Sequence, residues 1–237
     1  MVHDVFYAYG FNEPAGNFQM DNFNRGGIAG DPIIINVQGS KEYNAAFFGT
    51  LLDGHPGVLN LHIFTITNPN RDPALDNTIL THELGHGVSS RLTGGAQTKM
   101  CMSKIEPLGL SEGYSDVIAI IFTAKPEDTR NTKKVLGEYV EGALKGCVYW
   151  NFVEKYGFSA NLHDATQEEG NIIFLQLLVG TLMIQPCNPT FESARDAMLV
   201  ADAVYYGGIH EHLIREGFAK RGLGSISQLD SPQESSV

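Results

Sequence analysis

The sequence predicts an α+β fold: a small β-rich N-terminal lobe packed on a mostly α-helical C-terminal lobe. Three observations lead there. The chain has 237 residues, 43% of them hydrophobic, which is enough for a sizeable packed core in one large domain or two small ones. Up to about residue 75, Gly, Asn and Pro recur between short β-rich runs. Beyond that point the apolar runs lengthen and take a helical period.

Taken in order, strands are expected within "PIIINV" (32–37), "NAAFFGTLL" (44–52) and "VLNLHIFTI" (58–66). The last alternates apolar and polar residues at its start, as a half-buried strand does. Helices are expected over 77–92, 111–124, 147–156, 169–184, 190–205 and 209–220, with Ser111 as the N-cap of the second. The run "EGNIIFLQLLVGTLMI" is apolar nearly all round, the mark of a buried helix. The closing "SISQLDSPQESSV" is polar and is expected to fray. The domain reading is therefore 1–75 for the partial β-rich lobe, 76–225 for the helical lobe and 226–237 for a flexible tail. There is no internal repeat and no low-complexity segment.

Composition excludes several classes. A net charge of −11 and a pI near 5.1 argue against nucleic acid or an anionic membrane as partner. No apolar run approaches the roughly 20 residues that span a bilayer. The opening "MVHDVFYAYGF" has no basic n-region and no long apolar stretch, so it does not read as a signal peptide. Three cysteines, Cys101, Cys147 and Cys187, are too few for a disulfide-built scaffold, and at least one lacks an intramolecular partner. Nothing in the sequence speaks to oligomeric state.

The chemistry lies in "NTILTHELGHGVSSRLTGG" (77–95) and "GLSEGYSDVIAII" (109–121). Residues i and i+4 share a helix face, so His82 and His86 can aim imidazoles at one ion. Zinc suits neutral imidazole and keeps a position open for water in catalytic sites. Glu83 lies about 100° round the helix from His82, off the ligand positions but within reach of a metal-bound water whose proton it can take. A third ligand is needed, and Glu112 supplies it from the next helix. Asp116, one turn on, can fix the tautomer of a ligand histidine. A solvated acidic face is the plainer reading of Glu112 and Asp116, and chance is the plainer reading of the two histidines. The two motifs together favour a zinc peptidase. Gly85 and Gly87 each cost about 1 kcal/mol against Ala in a helix, which calls for close approach by another backbone.

These stretches resemble the fungalysin family of secreted zinc metalloendopeptidases, relatives of thermolysin among the gluzincins. "TITNPNRDPALDNTILTHE", "LMIQPCNPTFESARDAMLVAD" and "FAKRGLG" extend the resemblance through most of the chain. It implies one Zn2+ held by His82, His86 and Glu112 on a zinc helix at the lobe junction, with Glu83 as general base and Asp116 behind a ligand. It also implies polypeptide substrates, an extracellular location and a substrate contact from Asn44 on an edge strand. Three departures stand out. The chain begins inside the family's catalytic unit. "VLGEYVEGALKGCVYWNF" joins two helices where the family has a long excursion carrying a histidine that stabilises the transition state. His212 stands near the position of the family's cysteine partner for Cys187, so Cys187 is expected to have lost its bridge. The rival reading is therefore a catalytically impaired zinc-binding paralogue acting as an interaction protein. Elsewhere, His163 reads as a loop residue, His210 and His212 as facing different sides of a helix, and Arg195 and Asp196 as an ion pair.

Overall fold

The structure, a computed structural model, describes residues 1–39, 42–137 and 148–224. The stretch 138–147, including Cys147, and the expected tail 226–237 lie outside the described residues. Three strands form one sheet in the order β1-β3-β2: β1 (Ile34–Gly39) parallel to β3 (Val58–His62), and β2 (Ala46–Gly49) antiparallel to it. The alternation read in the sequence places Leu59 and Leu61 on the inward face, where neither is exposed.

Seven helices accompany the sheet among the described residues: α1 (Val2–Ala8), α2 (Asn77–Leu92), α3 (Ile105–Thr123), α4 (Val148–Tyr156), α5 (Gly170–Ile184), α6 (Phe191–Tyr206) and α7 (Glu211–Ala219). Helix α1 was not expected. It is too short to show a period, yet Val5 and Phe6 are buried in the same core as α3, α4 and α5. The N-terminal stretch thus joins the helical core instead of the sheet. Helix α5 buries every residue except Gln176, Met183 and Ile184, as its all-round apolarity requires. Helix α6 opens with a capping box between Thr190 and Ser193.

Helix α2 starts where Asp76 caps it, its Oδ1 accepting from the N–H of Thr78 at 2.9 Å and of Ile79 at 3.4 Å. Its glycines serve two different neighbours. A Cβ on Gly85 would stand 2.9 Å from the Cα of Ser115, so this glycine lets the backbones of α2 and α3 close up. A Cβ on Gly87 would meet the rings of Phe48 at 2.9 Å and Phe18 at 3.1 Å. Its neighbours are aromatic side chains, not the second backbone expected.

Two further expectations are corrected. Helix α3 begins at Ile105, six residues before Ser111, so Ser111 is not its N-cap. Pro107 falls in the first turn, where its missing N–H has no intrahelical partner to lose. Cys187 has not lost its bridge: it is bonded to Cys101, 86 residues earlier.

Candidate metal centre

His82 and His86 face α3 one turn apart, their rings 4.8 Å between centroids and nearly perpendicular. Glu112 lies across from them on α3. Its Oε2 is 3.2 Å from His82 Nε2 and 3.6 Å from His86 Nε2, and the three donor atoms lie within 4.8 Å of one another. Each ring has a polar neighbour behind it at Nδ1: Asp116 Oδ1 lies 2.9 Å from that of His82 as an ion-pair contact, and Ser111 Oγ is hydrogen-bonded to that of His86 at 2.9 Å. The Nε2 atoms are therefore the ones presented to Glu112. Two imidazole nitrogens and a carboxylate oxygen, converging from two rigid helices, fit a divalent cation of the zinc type.

Ser111 is the residue that sequence reasoning misplaced. Instead of capping a helix it is buried within one, beside Ser89 Oγ at 3.4 Å as well as His86. A serine before a candidate ligand reads equally well as a cap, and its partner is 25 residues away.

The electrostatics follow from the packing. Burial pushes His82 down, but the carboxylates of Asp116, Glu112 and Glu83 outweigh it and raise the ring to about 9. Hydrogen bonds from His82 and His86 hold the Glu112 carboxyl far below the usual carboxylate range. Burial raises Glu83, and the histidines only partly offset it. Glu83 Oε2 is buried with no hydrogen-bond partner in the protein, a costly state for a carboxylate without a task.

The group opens on a cleft of about 530 Å³. His82, Glu83, His86 and Glu112 lie along it together with Phe47 and Phe48 of β2 and Lys99, Met100 and Met102 of the α2–α3 connection.

The remaining sequence candidates lie elsewhere. Asn44 precedes β2 with a left-handed backbone, φ 58°. Its Oδ1 accepts from the Thr65 N–H at 2.7 Å and its Nδ2 donates to Thr65 Oγ1 at 3.1 Å, so its amide braces a neighbouring loop. His163 is exposed in the connection between α4 and α5. His210 is buried against Asp202, Nδ1 to Oδ1 2.7 Å, among the rings of Phe152, Tyr156 and Tyr206. His212 lies beside Lys155. Arg195 pairs with Asp196 at 2.8 Å and donates to the Leu223 carbonyl.

A His–Glu–x–x–His helix packed on a carboxylate helix, with the ligand atoms of both opening on one cleft, is the arrangement of a metallopeptidase. The profile of the fungalysin metallopeptidase family (M36) matches residues 1–147 and 147–227, and the chain belongs to that family. The extracellular metalloproteinase MEP of Leptosphaeria maculans is 36% identical over 274 aligned residues, taking in 96% of this chain and 43% of that protein. An extracellular metalloproteinase of Aspergillus niger is 35% identical over 264, with 94% and 42% covered. The chain thus spans less than half the length of these relatives. Both alignments are longer than the 237-residue chain, so the relatives carry internal residues with no counterpart here. The two profile segments meet at residue 147, within "VLGEYVEGALKGCVYWNF" and just before α4.

Proposed function

We propose that this chain is the catalytic portion of a zinc metalloendopeptidase. The observation that carries the reading is the convergence of His82 Nε2, His86 Nε2 and Glu112 Oε2 beside the buried, unpartnered Oε2 of Glu83. In this reading the first three residues hold zinc, while Asp116 and Ser111 fix the two rings. When bound, zinc supplies Lewis acidity and lowers the pKa of water toward about 7. Glu83 takes the proton of the attacking water at its carboxylate and returns it to the leaving amine as the peptide bond breaks. Burial of Glu83 suits the first half of that task, because it raises the proton affinity of the carboxylate that must accept the water proton.

Polypeptide substrates and secretion are supported by the names of the extracellular relatives and by the Cys101–Cys187 bond, which suits an oxidising compartment. The shortened join at 147 favours a lowered rate. The resemblance places an electrophilic histidine in the missing stretch, and losing one such donor costs about 100–1,000-fold. Two groups in the chain could be asked to replace it. Tyr149 is buried in the helical core and His163 is exposed on a loop, and neither lines the cleft.

The test is Glu83→Gln. Zinc, measured by elemental analysis, should stay at one per chain while hydrolysis of an unstructured protein substrate stops. Zinc loss in that variant would make Glu83 a ligand and overturn the assignment. Asp116→Ala should weaken zinc by about 10–100-fold. Protons compete for the Nε2 of His82, so affinity should fall as pH falls, and flat affinity from pH 8 to about 5 would count against histidine ligands.

A further inference from the structure

Residues 93–104 join α2 to α3 without helix or strand, yet this stretch carries a large part of the cleft wall. Lys99 and Met100 project from it, and Met100 is 75% exposed with a left-handed backbone, φ 60°. Connections of this length without structure of their own need fastening if they are to present a fixed surface.

The fastening is concentrated at one residue. The start of the stretch is tied by Gln185 to Thr93 Oγ1 at 2.7 Å and by the Asp53 N–H to the Ala96 carbonyl at 3.0 Å. Past Ala96, among the described residues, the hydrogen bond to a distant segment falls at Cys101, whose carbonyl accepts from the Asn188 N–H at 2.9 Å. The same residue is covalently bonded to Cys187, in the connection between α5 and α6. Met102 adds an apolar contact with the helical core. Gly94 leaves the space the disulfide occupies: a Cβ there would stand 2.7 Å from Cys101 Sγ and 3.1 Å from the Cβ of Cys187. Cys101 is buried while Cys187 is exposed, so a thiol can reach the bond from the Cys187 side.

We propose that the Cys101–Cys187 disulfide is a positioning element for substrate: it clamps the 98–103 wall of the cleft, so that its reduction loosens peptide binding without disturbing the metal ligands. The ligands lie on α2 and α3, whose mutual packing through Gly85 and Ser115 does not involve this bond. An external dithiol supplies the electrons: its thiolate attacks a disulfide sulfur, its second thiol resolves the mixed disulfide, and the products are two cysteine thiols and an oxidised dithiol. The inference rests on the peptidase reading of the cleft, and its test separates the two.

The experiment uses the zinc-loaded Glu83→Gln chain, which binds without turnover, and a fluorescein-labelled unstructured peptide. Dithiol treatment, Cys187→Ser and Cys101→Ser should each raise the peptide Kd by about tenfold or more, the effect of an unfastened loop, with zinc content unchanged. Reoxidation of the dithiol-treated chain should restore binding. Hydrogen exchange at residues 97–104 should accelerate on reduction while α2 and α3 stay protected. The dithiol arm needs no cysteine substitution, so a variant that fails to fold leaves the test intact. A Kd unchanged within about twofold on reduction, or zinc lost in step with peptide, would overturn the clamp. If no peptide binds in either state but the 97–104 amides are released by reduction, the clamp stands and the peptidase reading of the cleft fails.

Discussion

Strand β1 and helix α5 are both rich in aliphatic residues, and they use them in opposite ways. Ile34, Ile35 and Val37 of β1 are each about half exposed, whereas Ile172, Leu175, Leu177 and Val179 of α5 are not exposed at all. β1 touches β3 along one edge. Helix α5 lies between α4 and α6 and packs against both. Aliphatic content therefore marks where apolar burial is possible, and the number of packed neighbours decides where it happens.

The two regions are consequently held by different forces. The helical part rests on non-directional burial in one large core. The N-terminal segments are pinned by directional bonds to one side chain of α2. Arg91, fully buried, donates to the carbonyls of Leu51, Gly16 and His55 and to Asp31 Oδ2, all at 2.7–2.9 Å. Its guanidinium lies 4.2 Å over the ring of Phe18. One residue on the metal-site helix thus gathers the segment before β1 and the β2–β3 connection.

That contrast can be broken by substitution. The largest effect is expected at Arg91→Ala, which leaves the Asp31 carboxylate buried without its counter-ion and three carbonyls without the guanidinium donor, and should cost about 3–5 kcal/mol. In urea denaturation the loss should be accompanied by faster hydrogen exchange in β2 and β3 than in α5. A loss below about 1 kcal/mol would show that the segments hold themselves together. Leu175→Ala in α5 comes next, at about 2–5 kcal/mol for a fully buried leucine, and it should destabilise all the helices packed on that core together. Separate melting of α5 and α6 would contradict a single core. The smallest effect is expected at Ile35→Thr on β1, within about 0.5 kcal/mol. A cost several times larger, measured in the same denaturation, would mean that the face of β1 is covered in solution.

Much of the site was legible because it depends on short-range rules. Helix α2 runs over 77–92 as its period demands, and the i,i+4 spacings of His82 with His86 and of Glu112 with Asp116 follow from 3.6 residues per turn. The profile match and the alignments are consistent with the internal shortening seen near residue 147. Other features were not legible. Nothing local ties Ser111 to His86, Arg91 to its four acceptor residues in the N-terminal part of the chain, or Cys101 to Cys187, since these partners are 25 to 86 residues apart. Helix α3 begins before Ser111 because packing overrides the weak local preference of a stretch containing Pro107 and Gly109. The sequence by itself determined which side chains share a helix face, since helical geometry is set residue by residue. Which faces meet, which ring nitrogen points into the cleft and which cysteine finds which were decided only by the tertiary structure, because those contacts depend on how whole elements pack.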